Sequence, residues 1–321
     1  MSQTLIKNAN ILSMDSNRSV YIDSAILVED NDIKEIGKLE TFESRVSHQA
    51  NIEDAKENWI LPGLINTHVH TSQHLARGIA DDVDLLVWLH DRIWPYESAL
   101  TEEDSYISSL LCGLEQIRSG VTCFAEAGGQ HVNGMGRAVK ELGIRAALSK
   151  STMDMGEGLP KVWEKNTQEE IDTQLENFEK WNGQENNRIK VWFGLRTIFN
   201  NSDDLIIKTK ELADQHKVGV HMHVAEIREE IEFAKKTRGN STVKHLEKLG
   251  VLDKNFLAVH CVWMTDEEIE IFLKNDVKVS HNPAAAMRVL GFAEIPLMVN
   301  KGICVSIGTD GAPSNNRMSL I

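Results

Sequence analysis

The sequence predicts an α/β fold, a (β/α)8 TIM-type barrel preceded by a small N-terminal β segment. Three observations carry that prediction. From Trp59 onward, short apolar runs alternate with amphipathic helical stretches, the pattern of a parallel sheet with helical crossovers. Eight such units fill about 260 residues, the size of a single barrel. No glycine-rich phosphate loop follows the first run, which argues against a doubly wound open sheet.

The N-terminal segment, residues 1–60, reads as short strands and turns. Leu5 to Leu12 forms one strand, and Ala25–Val28 pairs with Ile33–Ile36 in a hairpin around Asp30-Asn31-Asp32. Residues 61–321 form the barrel. Its strands are predicted at Ile60–Asn66, Val121–Ala125, Ile144–Ser149, Ile189–Leu195, Val218–Val224, Phe256–His260, Val277–His281 and Ile303–Ile307. Between them, Glu102–Ser119 has helical periodicity and is closed by Gly120. Asp266–Lys274 opens on Thr265-x-x-Glu268, a capping box.

Composition narrows the function classes. The chain has 321 residues, 41% of them apolar, and a net charge of −14. A polyanion such as nucleic acid wants clustered Lys and Arg, so nucleic acid is not an expected partner. Acidic runs such as Thr167 to Lys180 read as solvated helix faces. No window approaches a membrane span, and Met1 to Asn10 does not resemble a signal peptide. Cys112, Cys123, Cys261 and Cys304 are scattered through apolar runs without a C-x-x-C, so buried free thiols and a cytoplasmic location are expected.

The candidate chemistry lies at the predicted strand ends. His68 and His70 close the first strand, and residues two apart share a face, so both rings enter one volume. Alone, the pair reads equally well as half of a divalent-metal site or as hydrogen-bonded histidines. The fifth strand ends in His221-Met222-His223-Val224-Ala225-Glu226, the sixth in His260, the seventh in His281-Asn282-Pro283, and the eighth in Gly308-Thr309-Asp310-Gly311. Barrel active sites are built at these C-terminal ends.

The ordered set Pro62-Gly63-Leu64-Ile65-Asn66-Thr67-His68-Val69-His70, His223-x-x-Glu226, Val259-His260-Cys261, Ser280-His281-Asn282-Pro283 and Gly308-Thr309-Asp310-Gly311-Ala312-Pro313-Ser314-Asn315-Asn316 resembles the amidohydrolase superfamily. The similarity is to the branch of 5′-methylthioadenosine/S-adenosylhomocysteine deaminases and triazine chlorohydrolases, and it spans the chain. It implies one divalent metal, zinc or else iron, held by His68, His70, His223 and Asp310. It further implies that Asp310 takes a proton from the attacking water, that Glu226 protonates the ring nitrogen beside the attacked carbon, and that His260 hydrogen-bonds the nucleophile. The leaving group is then ammonia, or chloride in a triazine-like dechlorinase. His221 reads as a supporting or packing residue rather than a ligand, and His281 as shaping a loop. His74, His90, His131, His216 and His245 read as surface or satisfied histidines.

For substrate binding, Glu97 lies where the resembling nucleoside deaminases hold ribose hydroxyls. Arg196 replaces their histidine, and this chain lacks the proline that follows it. A fixed cation without an acceptor cannot copy a neutral imidazole. Arg196 would instead pair with a substrate carboxylate or carbonyl, or with Glu226 or Glu97. Glu126 reads as a pocket residue and Trp88 as core. Hydrolytic deamination of an aminated purine nucleoside or related heterocycle is the leading expectation, and a homo-oligomer is a family expectation. Relatives in this branch continue well beyond the strand-eight aspartate, whereas this sequence ends at Ile321. It therefore reads as C-terminally truncated, with the N-terminal segment left as half of a composite β-sandwich and the barrel without its last helix. Unpaired edges and an uncovered apolar face would cost stability, so an inactive truncated amidohydrolase is a further alternative.

Overall fold

The computed structural model describes residues 2–42 and 44–321. They divide into two compact units, one running to Gly63 and the other Leu64–Ile321. In the first unit, β1 (Gln3–Leu12), β2 (Val20–Glu29) and β3 (Asp32–Gly37) form an antiparallel meander, with the predicted hairpin joining β2 to β3. Two strands absent from the sequence reading, β4 (Asn51–Asp54) and β5 (Trp59–Ile60), pair parallel to β1. All four β4 residues are exposed, so no apolar alternation marks that strand. Leu5, Ala25, Leu27 and Phe42 form a small core.

The second unit is the barrel. Its strands are β6 (Leu64–Val69), β7 (Val121–Glu126), β8 (Arg145–Leu148), β9 (Ser151–Thr152), β10 (Ile189–Val191), β11 (Phe193–Leu195), β12 (Val220–Val224), β13 (Phe256–His260), β14 (Lys278–His281) and β15 (Val305–Ile307). They run in the orders β10-β8-β7-β6 and β15-β14-β13-β12-β11-β9, and every pairing is parallel. Ten segments fill eight barrel positions because the third and fourth strands are each interrupted, at Ser149-Lys150 and at Trp192. Lys150 is buried at its break, where its ammonium meets buried Glu170 at 2.6 Å. Between β15 and β6, the Thr67 hydroxyl donates to the Ile307 carbonyl at 3.1 Å. The Thr309 and Asp310 amides both donate to the His68 carbonyl. Strand eight is thereby tied to strand one at the level of the polar cluster.

The first barrel strand starts later than its sequence suggests, at Leu64 rather than Ile60. Pro62 has no N–H for a ladder, and the Leu64 amide is the first to bond into the barrel, at the Gly120 carbonyl. Helix α1 (Glu102–Arg118) carries a Thr101/Asp104 capping box. Helix α2 (Thr167–Trp181) supplies Glu170, and α3 (Arg228–Arg238) follows β12. Helix α4 (Asp266–Lys274) has the predicted Thr265/Glu268 box. Ile107, Leu111, Leu114 and Ile117 of α1 form an exposed apolar stripe, and Ile65 and Ile307 are exposed as well. The four thiols are free, but the expectation that all are buried needs correction. Cys112 and Cys261 are buried, Cys123 is half-buried, and Cys304, just before β15, is exposed. Among the described residues no helix is long and apolar enough to cross a membrane.

Candidate active site

The barrel's alternation brings the predicted residues together. In β12 every residue is buried; His221 and His223 share one face and Met222 takes the other. The His68 ring lies 5.0 Å from that of His70, 4.9 Å from His223, 5.1 Å from His221 and 5.4 Å from His260. Asp310 Oδ1 is 3.4 Å from His68 Nε2 and 3.6 Å from His70 Nε2, and His70 Nε2 is 3.4 Å from His223 Nε2. Two trios, His68/His70/Asp310 and His68/His223/His260, each converge within 4.8 Å. Glycine permits the approach of strands eight and one. A Cβ on Gly308 would meet the His68 backbone nitrogen at 2.9 Å, and one on Gly311 would meet Gln73 Oε1 at 2.3 Å.

The donor set fits a divalent ion. Ligand atoms held at about 2.1 Å from one divalent ion lie roughly 3.0–3.6 Å apart, in keeping with the separations here. His68 Nε2 is buried without a hydrogen-bond partner. His223 Nδ1 faces the Arg196 carbonyl at 3.0 Å. A carbonyl only accepts, so Nδ1 carries the hydrogen and Nε2 presents a bare lone pair. Burial holds His70 and His223 well below the usual imidazole range, with Arg196 adding to the effect, so both are neutral as ligation requires. Burial pushes Asp310 upward, but the adjoining His68 outweighs it and holds the carboxyl well below the usual range. The Gly311 amide and the Ser314 hydroxyl fix its two oxygens at 2.8 and 2.9 Å.

Glu226 behaves in the opposite way. Burial, reinforced by Asp310 and Glu230, pushes its carboxyl up to about 8. Its Oε1 lies 3.4 Å from His260 Nε2. His260 is itself lowered to about 3, chiefly by burial. Ala225, His260 and Asp310 all have positive φ, at 52°, 70° and 62°. Such backbone costs on the order of 1–3 kcal/mol per residue and gathers at functional sites. Neighbouring bonds hold it in place: the Glu230 carboxylate accepts from the Ala225 and Glu226 amides, both at 2.8 Å.

Arg196 lines the cavity with His70, His223, Glu226, His260, Asp310 and Trp88. Among the described residues it makes no ion pair with Glu226 or Glu97, and its Nε is buried without a partner. Glu97 is not among the residues lining this cavity. It is buried, accepts from Gln73 at 2.9 Å, and is raised by burial. Trp88 is core, as expected, and also cavity wall. Directly after strand seven the buried residue is Asn282, whose amide faces His260 Nδ1 at 3.3 Å, while His281 is only half-buried. Glu126 does not line the cavity; its carboxylate accepts from the Thr71 amide and hydroxyl, directly after His70. Five further histidines are occupied elsewhere: His131 at the Leu100 carbonyl, His245 at Asp203, His74 at Glu115, and His90 and His216 against Trp94 and Phe178.

The sequence reading missed Glu230, Asn282 and Gln73. Strand alternation from His260 and Ser280 could have found Asn282. An acid in the first turn of α3 reads as ordinary dipole complementarity, so Glu230 had no distinguishing signal.

The cavity itself holds about 30 Å³, room for a water or two. Its apolar wall is Leu85, Leu86, Trp88 and Leu89 from one segment and Val289 and Leu290 from another. Both segments contain a π-type turn, Trp88–Ile93 and Ala286–Leu290. Beyond Leu86 and Phe199 lies a 390 Å³ cavity that also includes Trp94, Met155, Glu157 and Phe233.

Residues 59–321 match the amidohydrolase family. The chain belongs to that family. This amidohydrolase is 39% identical over 318 residues to the 5′-deoxyadenosine deaminase of Methanobrevibacter smithii, covering 99% of this chain and 70% of that protein. It is 33% identical over 319 residues to the 5-methylthioadenosine/S-adenosylhomocysteine deaminase of Halothermothrix orenii, covering 99% and 72%. Among solved structures, it superposes on an adenosine deaminase from Xanthomonas campestris with bound zinc at a TM-score of 0.91. That match has 26% identity and covers 99% of this chain and 71% of that one.

Proposed function

We propose that this amidohydrolase is a hydrolytic deaminase of an adenosine-type nucleoside altered at its 5′ position. His68, His70, His223 and Asp310 would hold one divalent ion, zinc by the character of the donor set. Bound there, such an ion supplies Lewis-acid activation of a water molecule. Asp310, ionised and fixed by Gly311 and Ser314, accepts the proton that this water loses. Glu226, protonated near neutral pH, gives its proton to the ring nitrogen next to the carbon that bears the amine. His260 donates from Nε2 to the attacking oxygen, its Nδ1 being turned to the Asn282 amide. The tetrahedral carbon then expels the amine as ammonia: the proton held by Asp310 goes to the leaving nitrogen, and the hydroxyl proton released as the carbonyl forms restores the acid form of Glu226.

One observation carries this reading. A carboxyl raised to about 8 and a carboxyl held well below the usual range face the same cavity, which supports Glu226 as the acid and Asp310 as the base. The unpartnered Arg196 Nε supports recognition of an acceptor atom on the substrate. The large apolar cavity beyond Leu86 suits an uncharged 5′ substituent. Free thiols are in keeping with a cytoplasmic setting.

The test is ammonia release by zinc-loaded protein from 5′-deoxyadenosine, 5′-methylthioadenosine, adenosine and adenine. Turnover is expected to be fastest with the first two. Zinc-loaded protein that releases ammonia from none of them would refute the proposal.

A further inference from the structure

The two residues after β12 do not continue its alternation. His221 and His223 share the inward face, and Met222 and Val224 pack into the core on the other. Continued without a break, that period would point Ala225 inward and Glu226 away. Glu226 nevertheless lines the cavity together with His223. The break lies at Ala225, whose φ of 52° is left-handed, a conformation that residues with a Cβ rarely adopt.

This turn is pinned from both sides. On its carbonyl side, the Cys261 amide donates to Val224 at 3.1 Å and the Trp263 amide to Ala225 at 2.9 Å, both from the segment after β13. On its amide side, Glu230 accepts from Ala225 through Oε1 and from Glu226 through Oε2, each at 2.8 Å. Glu230 is the third residue of α3 and is only 1% exposed. An acid at that place ordinarily reaches back to the amide of the capping residue. Here the capping residue is Ile227, and Glu230 reaches past it to the two residues of the turn. Burying a carboxyl is costly, so packing alone would not call for one. Two buried amides that have left the strand ladder do.

We infer that Glu230 is a positioning residue: by holding the Ala225 and Glu226 amides it keeps the turn left-handed and so delivers the Glu226 side chain to the cavity. Glu230 is not itself among the residues lining that cavity, and it acts through Glu226. This role rests on the reading of Glu226 as the acid of the deamination.

The experiment is a double-mutant cycle in the zinc-loaded full chain, with E230Q, E226Q and the pair assayed on 5′-deoxyadenosine. Glutamine keeps the size of Glu230 and one oxygen, but sets an NH2 group against the second amide, donor against donor. E230Q should lower kcat about 10- to 100-fold, the scale expected for a displaced reacting group, with zinc content unchanged. In the E226Q background the same change should alter kcat by less than about threefold, because the group being positioned is already gone. An equal loss in both backgrounds would mark a general structural role and overturn the inference, as would a parent-like kcat in E230Q. A crystal structure of E230Q gives a check independent of activity, and it decides if E226Q is too slow to measure. The Glu226 side chain should have left the cavity; finding it in place, with Ala225 still left-handed, would contradict the role. Should E230Q fail to fold, amide hydrogen exchange in the parent decides. Ala225 and Glu226 should be protected as well as β12 is, and free exchange at both would overturn the inference. E226Q that turns over like the parent would sink the acid reading itself, an outcome distinct from a cycle in which E226Q is slow and E230Q is not.

Discussion

The two sides of the cavity are built differently. On one side, His68, His70, His223, His260 and Asp310 stand on or directly after parallel strands, and hydrogen bonds fix most of their orientations. On the other, Leu85 to Leu89 and Val289–Leu290 stand on short helical turns with apolar side chains and few polar constraints. The rigid side suits chemistry, in which a misplacement of about 1 Å costs roughly 100-fold in rate. The apolar side suits admission and recognition. The space between them, about 30 Å³, adjoins the larger cavity beyond Leu86 and Phe199.

That division can be broken or sharpened by substitution. The largest effect is expected at Asp310. Asp310→Asn should lower kcat by about 10³-fold or more while the melting temperature stays near that of the parent; comparable rates would remove the base from the account. Glu226→Gln should cost about 10²- to 10⁴-fold in kcat with zinc content unchanged by elemental analysis. Because the acid form of Glu226 is the active one, the parent's kcat/KM should fall as pH rises through about 8. The glutamine variant should lack that limb, and a limb that persists would assign it to another group. Arg196→Met should lower kcat/KM about 10- to 100-fold, mainly through KM, the usual range for a lost hydrogen bond to a charged group. A change confined to kcat would move Arg196 into the chemistry. The smallest effect is expected on the apolar side. Leu86→Ala should alter KM by less than about tenfold and leave kcat nearly untouched, since it removes a few buried carbons from the wall. A large loss of kcat there would mean that the wall takes part in holding the reacting atoms.

The same division decides what could be read in the sequence. Strand residues obey a period of two, so His68 with His70, and His221 with His223, announced a shared face. The apolar runs before His260 and Asp310 placed both at strand ends. The barrel followed from the alternation of runs and helices, although Pro62-Gly63 displaced the start of the first strand and the third and fourth strands split. The apolar wall follows no period. Leu86, Val289 and Leu290 come from turns that no regular spacing marks, and Glu97 sits behind Gln73 rather than in the cavity. Glu230 acts through backbone amides, and that contact exists only once α3 has turned back on β12.

The most direct test of the central claim is ammonia release from 5′-deoxyadenosine measured against bound zinc on one sample. The account predicts about one zinc per chain, turnover that disappears on chelation, and recovery in proportion to zinc restored. Turnover that persists in metal-free protein, or a chain that retains activity after His223→Ala abolishes zinc binding, would contradict it.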